Sequence, residues 1–573
     1  MKDTSQKCSA RIAHAVEVTL TMNNQQVFAA PAGTRAVEAH DEAEGTMRRD
    51  VVGPVGVGKH PDAPADAAPT VSPEAVDSYE RLQGAEEDGR PVGSRKLMAA
   101  LLGPVFMALV AISMVNVALS PMRASLGATN SLTQWVVSGY ALSFGVPLVA
   151  AGRIGDVSGR RRMFSLGVGL FTLGSLLSAL APSIGVLIGA RVLQGLGAGL
   201  FNPQTTGIIQ ANFTGQARAR AYAMFGTTVA IATVVGPLLG GFLIQAFGQG
   251  LGWRMMFMIN VPMGLATLAI ASRWIPDDRA FGATSVAEAA GTTDAAGTNA
   301  RPRRMDLDPV GMVLLAVAIL AILFPFVQRS TAVLPWVFGL FGAVLAVVFV
   351  RWEASYKKRS HTPMLDLDLV RAPAFCNGIF IVTLFFLGNT SVWLIVPIYL
   401  QNHLGTTALV AAMMTVPASV VSGFAAPWAG RHVLHMGRKM VIGGYLVSMT
   451  AVLATLLVIN PVESGRAGVW WFALSLLGFG IGSGLVISPN QTLTLASVRP
   501  EVSGVAGGVL SLGQRMGTAI GTALISSILF GLVEAGVHWN IALSAAFGGI
   551  FLAYVGGLAF TIADFRREAR SAA

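Results

Sequence analysis

The 573-residue chain is 53% hydrophobic and 12% charged, with a mean hydropathy of +0.61, whereas soluble domains carry roughly 25% charged residues. Its apolar residues come in blocks of about 20, the length that crosses a hydrocarbon core of about 30 Å, so a string of soluble domains is excluded. The net charge of +10 does not mark a nucleic-acid binder. Residues 1–94 hold nine Lys/Arg against fifteen Asp/Glu, and the surplus of sixteen positive charges in the rest of the chain sits in short loops between apolar blocks. That is the footprint of the positive-inside rule rather than of a phosphate-binding face.

In chain order, residues 1–95 come first, rich in Ala, Pro, Gly, Asp and Glu and without a sustained period. The run PDAPADAAPTVSPEAVDSYE at 61–80 has too little apolar surface to offset chain entropy, so a disordered cytoplasmic tail is expected. Within it, GPVGVGKH (53–60) fits half of a phosphate loop, but His60 stands where Mg²⁺ needs Ser or Thr, and Pro61 where a helix should open. The match is read as chance, and no cofactor, ATP included, is expected. Cys8 and Cys376 lack metal-ligand or disulfide-framework spacing, so no metal site is expected either. No basic-apolar-cleavage pattern follows Met1, and the first apolar span is expected to act as the insertion signal.

Fourteen spans follow, at 98–120, 133–154, 162–181, 184–209, 219–247, 254–275, 309–328, 334–352, 374–400, 407–429, 440–460, 468–493, 503–531 and 541–563. Basic residues gather on one side: Arg160, Arg161 and Arg162 after span 2, Arg218 and Arg220 after span 4, Arg351, Lys357, Lys358 and Arg359 after span 8, and Arg431, Arg438 and Lys439 after span 10. The opposite side has little more than Arg123, Arg329 and Arg466. This asymmetry, like the even number of spans, places both termini in the cytoplasm of a multi-pass protein of the bacterial inner membrane.

An internal repeat divides the spans. GRIGDVSGRRR (152–162) follows span 2 and GRHVLHMGRKM (430–440) follows span 10, with Gly152, Arg153, Gly159 and Arg160 falling on Gly430, Arg431, Gly437 and Arg438. A weaker echo pairs GAGLFNPQT (197–205) with GSGLVISPNQT (482–492). The expected fold is an all-α polytopic membrane protein of two six-helix pseudo-repeat halves plus two inserted helices. Its parts are an N-terminal bundle over 96–275, linkers and the inserted pair over 276–372, a C-terminal bundle over 373–565 and a short tail over 566–573.

Four segments carry a resemblance. GRIGDVSGRRR resembles the loop signature between helices 2 and 3 of the major facilitator superfamily, and RVLQGLGAG (191–199) its helix-4 motif. GPLLGG (236–241) is similar to the helix-5 motif of its antiporters. WRMMFMINVPMG (253–264), with the extra helix pair, is similar to the fourteen-helix drug:proton antiporter branch. The resemblance covers residues 97–570. It implies secondary active efflux of multiple drugs or small amphiphiles by alternating access, with proton antiport, by a monomer in the lipid bilayer. The alternatives are an uncoupled facilitator, a lipid or amphiphile transporter, and a non-transporting sensor, for which the tail offers no folded signalling module. An enzyme is not expected, because the apolar blocks hold no convergent catalytic or metal-binding set.

The residues themselves suggest roles. Asp156 can pair with Arg160 while Gly152, Gly155 and Gly159 permit close approach, a gating latch between rocking halves; a purely topological basic loop is the alternative. Arg191 lies within an apolar span, where a guanidinium costs a few kcal/mol, and must face the protein interior or a wet cavity. With Gln194 and with Arg515 of span 13, it is assigned to coupling or cavity, against a structural clamp. Gly236, Pro237, Gly240 and Gly241 form the bend that the resemblance links with antiport. By the same resemblance spans 1, 4, 9 and 12 line the cavity, offering Asn116, Asn202, Asn389, Trp393 and Asn490 to substrate. The chain departs from that branch at Ala111, where members carry an acid before the stretch seen here as NVALS (116–120). No span has a deep carboxylate, so neutral, zwitterionic or anionic amphiphiles fit the cavity better than strong cations. The second basic loop also lacks its acid, with Leu434 at the position of Asp156.

Overall fold

A computed structural model describes residues 94–275, 307–328, 333–359, 363–496 and 498–572; the expected tail and most of the first linker lie outside them. The elements are α1 (Ser94–Leu126), α2 (Asn130–Gly145), α3 (Leu148–Ser158), α4 (Arg160–Leu180), α5 (Ile184–Asn212), α6 (Gly215–Met258), α7 (Asn260–Trp274), α8 (Pro309–Gln328) and α9 (Val333–Lys358). Then come α10 (Leu367–Arg371), α11 (Pro373–Asn402), α12 (Ala408–Met436), α13 (Arg438–Glu463), α14 (Trp470–Ala496), α15 (Ser503–Glu534) and α16 (Trp539–Ala572).

Twelve stretches among the described residues are long and apolar enough to cross a membrane, and α2 with α3, bent by 43°, makes a thirteenth. Pro147 stands at that bend, where it removes a backbone donor and crowds the preceding turn. The stretch Gly215–Trp274 counts as one by length, at 60 residues, but a straight helix of that size would be about 90 Å long. Gly248 breaks it with φ +74°, and a Cβ on Gly252 would sit 2.6 Å from Ile244 Cα, so the chain turns back on itself. Read as a hairpin of two crossings, it makes the total consistent with the expected fourteen. Trp253 and Arg254 hold the turn. The indole donates to Ser125 Oγ at 2.9 Å, and the guanidinium donates to the carbonyls of Ala179 and Ala181, each at 2.9 Å. A cation thereby meets the unpaired carbonyls at the end of α4.

The helices pack in two groups. In the first, α1 lies on α6 and α7, and α4 on α5, around Phe164, Phe171, Phe201 and Tyr222. In the second, α11 lies on α15 and α16, and α14 on α12 and α13, around Phe385, Tyr399, Tyr445 and Tyr554. Glycines set the close crossings: a side chain on Gly197 would strike the backbone of α4, and one on Gly517 that of α11, the close approach that small residues allow between membrane helices.

The pair α8 and α9 turns much of its surface outward, with Val333 and Leu340 exposed. Its inner face is not idle. Met312, Leu315 and Phe349 join Val149 of α3 and Val505 of α15 in one apolar cluster, so the pair touches both helix groups. Asp308, buried at the start of α8 with φ +44°, accepts from Gly311 N–H at 2.9 Å and Trp352 Nε1 at 3.0 Å, which fastens α8 to α9.

Candidate functional site

A partly open cavity lies between the two groups. Its walls come from α1, α2, α5 and α6 on one side and α11, α14 and α15 on the other. The expected spans 1, 4, 9 and 12 all contribute, joined by spans 2, 5 and 13. Phe144, Phe225 and Phe386 give it aromatic faces, and Asn202, Gln514 and Arg515 give it polar ones. No carboxylate is among its lining residues.

The two intramembrane arginines flank one helix of this wall. Tyr140 and Phe144 stand one turn apart on α2 with ring centroids 6.0 Å apart; Arg191 lies 4.1 Å over the Tyr140 ring and Arg515 4.1 Å over the Phe144 ring. Their surroundings differ. Arg191 is buried, donating from Nε to Val136 O at 3.0 Å and from Nη1 to Gln194 Oε1 at 2.5 Å. Gln194 in turn donates to Ser175 Oγ at 2.6 Å. Neither Arg191 nor Gln194 lines the cavity; together they tie α5 to α2 and α4. Arg515 does line it, beside Gln514.

The cavity is sealed at the basic-loop end. Asp156, buried at the end of α3, accepts from Arg160 Nε at 2.9 Å and Nη2 at 2.8 Å. The same carboxylate accepts the backbone N–H of Gly504 at 3.1 Å and of Val505 at 3.0 Å. These N–H groups belong to the first turn of α15, which has no partners of its own and presents a positive dipole end. Arg160 also donates to Gly207 O at 3.2 Å and to Pro500 O. One ion pair thus joins α3 and α5 to the opposite helix group. The glycines fit this geometry: a side chain on Gly152 would collide with the Gly504 carbonyl, and one on Gly155 with Gln204. Gly159 ends α3 at φ +106°, open to glycine alone without strain.

Further bonds complete the seal. Gln216 Nε2 donates to Gly430 O at 2.7 Å, Gln210 to Leu495 O, and Ser511 Oγ to Asn202 Oδ1 at 3.1 Å. Thr227 Oγ1 of α6 also donates to Gly423 O of α12 at 3.4 Å.

The second repeat solves the same problem differently. Gly437 ends α12 at φ +54°, as Gly159 ends α3, and Arg438 opens the next helix fully buried. Its acid comes from α16: Arg438 Nε lies 2.6 Å from Asp564 Oδ2. Asn490 Oδ1 accepts from Arg438 Nη1 at 2.8 Å, and Asn490 Nδ2 donates to Gly378 O at 2.9 Å. Asn490 therefore sits in this buried network rather than at the cavity. No local spacing could have shown Asp564, because it lies 126 positions from its partner.

The remaining expected residues divide as follows. Asn389 accepts from Ser483 Oγ at 3.0 Å, joining α11 to α14, and Trp393 packs against the core of the second group; neither lines the cavity. Asn116 lies on α1 with its side chain outside the described residues. A side chain on Gly236 would overlap Ser113 of α1, and one on Gly240 would meet Met114 Cα at 3.5 Å, while Gly241 faces open space. Pro237 is inside α6. Ala111 is buried.

The sequence pattern of the Major Facilitator Superfamily matches residues 101–522 and, in a second overlapping match, 378–572. The chain is 33% identical over 451 residues to a "Probable actinorhodin transporter" of Streptomyces coelicolor, covering 78% of this chain and 74% of that protein. It is 31% identical over 448 residues to the "Multidrug resistance protein Stp" of Mycobacterium tuberculosis strain H37Rv, covering 77% and 76%. It is 27% identical over 503 residues to the "Methylenomycin A resistance protein" of Streptomyces coelicolor, covering 86% and 98%. Among solved structures, the human organic anion transporter MFSD10 aligns with a TM-score of 0.56 at 13% identity, covering 82% of this chain and 99% of that one. The proton:xylose symporter XylE aligns with a TM-score of 0.57 at 14% identity, covering 80% and 94%. These two share the fold.

Proposed function

The chain belongs to the major facilitator superfamily, and on that premise we propose that it exports small amphiphilic molecules, antibiotics or drugs among them, in exchange for protons. It does so by alternating access, as a monomer in a bacterial inner membrane with both termini in the cytoplasm and without catalysing a chemical step on its substrate. The observation that carries the reading is the pairing of a central cavity with an ion pair that closes it at the basic-loop end. With the basic loops cytoplasmic, the closed end is the cytoplasmic one and the cavity faces outward, the state in which an exporter releases its load. Asp156 and Arg160 are then the latch that must part for loading, and Gly152, Gly155 and Gly159 the residues that let it shut. The names of the antibiotic and multidrug relatives support export. The Gly236–Pro237 pair inside α6, packed on α1 by Gly236 and Gly240, supports antiport.

A second reading, an uncoupled facilitator, draws on Ala111 and on the lack of a carboxylate among the cavity-lining residues, since a coupled carrier needs a group that titrates during its cycle. The buried acids lie toward the basic-loop end instead, at Asp156, Asp308, Glu353 and Asp564. The deciding experiment is uptake of a small library of fluorescent drugs and amphiphiles into inverted membrane vesicles. Coupled export predicts accumulation that needs an imposed proton gradient and collapses with an uncoupler. Accumulation that never exceeds equilibrium would establish the facilitator, and no movement of any compound would count against transport of this class.

A further inference from the structure

Three buried arginines are matched within the protein, whereas Arg515, partly exposed in the cavity wall, is not. Arg160 has Asp156 and two carbonyls, Arg438 has Asp564 and Asn490, and Arg191 has Val136 O and Gln194. Arg515 makes no hydrogen bond and no ion pair among the described residues; its one close partner is the face of Phe144, at 4.1 Å. It stands twelve residues into α15, about 18 Å along the helix from the sealed end, where a guanidinium is expensive unless its charge is met. A ring over one face steadies the plane of the guanidinium while leaving its in-plane N–H groups to an acceptor. Gln514, next to it in the cavity wall, also makes no hydrogen bond among the described residues.

We propose that the cavity is a site for aromatic acids, whose carboxylate or sulfonate docks on Arg515 with Gln514 as a second donor. This deepens the export reading and rests on it. The planar fork of arginine binds two oxygens of one anionic group side by side, in a way that a lysine ammonium does not. Phe225 and Phe386 offer faces to a planar apolar body. A cationic ligand of the same shape would meet Arg515 with no counter-charge in the cavity wall, so the site discriminates by repulsion as well as by attraction.

Three probes of one shape test this on the purified full chain in nanodiscs: naphthalene-2-carboxylate, naphthalene-2-carboxamide and 2-naphthylmethylammonium, each titrated by calorimetry. The carboxylate should bind at least about tenfold tighter than the ammonium, with the amide between them. Arg515→Gln should remove most of the carboxylate's advantage, at least about tenfold in Kd, while amide binding stays within about twofold. Arg515→Lys should recover part of the loss. The ranking in the unsubstituted protein stands even if Arg515→Gln fails to fold. Equal binding of the three, preference for the ammonium, no binding of any, or undiminished carboxylate binding by folded Arg515→Gln would each overturn the proposal. Vesicle export of neutral or cationic dyes by the same protein would show that the export reading survives such a failure; export of nothing would show that the reading itself has failed.

Discussion

Asp156 does two jobs with one carboxylate, neutralising Arg160 and capping the first turn of α15. Removing one partner of such a buried pair destabilises the arrangement by about 3–5 kcal/mol. Asp156→Asn keeps the shape but drops the charge, and turns an amide donor toward groups that are themselves donors. The latch should therefore form poorly while each helix group stays folded, because the bonds to Gly504 and Val505 are the ones that join the groups. Transport should fall at least about tenfold with membrane abundance near that of the unsubstituted protein, as fluorescence-detected chromatography would record; a shift of this size matches about 1.4 kcal/mol or more. Transport at the usual rate would reduce the loop to a device for setting topology. The local sequence already indicated this pair, since Asp156 and Arg160 stand four apart with Gly159 between them and Gly152 and Gly155 just before. It could not indicate which of two intramembrane arginines meets the cavity. Arg191 and Arg515 look alike in sequence, both within apolar spans, and only packing separates a clamp on Val136 and Gln194 from a wall residue.

At the scale of elements, glycines report where helices must touch. Gly152 and Gly241 are both helical, yet a side chain at the first would strike the Gly504 carbonyl and at the second would enter open space. Gly152→Val should thus hold α3 off α15 and leave the basic-loop end open. A cysteine placed at Asn202 should then react faster with a maleimide added from that end, and transport should drop. Gly241→Val should leave both measurements near the unsubstituted values, apart from a helix-propensity change of a few tenths of a kcal/mol. Equal effects of the two substitutions would show that helix packing at the seal does not govern access. The apolar blocks made nearly every crossing legible, including the hairpin at Gly248, because span length is dictated by the bilayer. The polar contents of the cavity were less so. Asn389 and Asn490 are spent on neighbouring helices, and an asparagine reads the same in sequence whether it faces a helix or a ligand.

For the whole molecule, the repeat found in the two basic loops corresponds to a shared construction in which a positive-φ glycine ends one helix and a buried arginine opens the next. Its two copies diverge in where the acid comes from, Asp156 within the motif and Asp564 from α16, so the sequence revealed the symmetry and the missing second acid at Leu434 but not the acid that replaces it. Only the first copy bridges the helix groups through its acid, and the account therefore requires the contact between groups at this end to be broken and remade in every cycle. Gly226 of α6 and Ala426 of α12 face each other across it, with a Cβ on Gly226 lying 3.4 Å from Ala426 Cβ, at the short edge of disulfide range, roughly 3.5–4.5 Å. Gly226→Cys with Ala426→Cys, in a background where Cys8 and Cys376 are serine, should cross-link under mild oxidation. The most direct measurement is the transport rate of this variant in vesicles, oxidised and then reduced. Arrest on cross-linking with recovery on reduction is the expected result; undiminished transport by fully cross-linked protein would contradict alternating access through this seal.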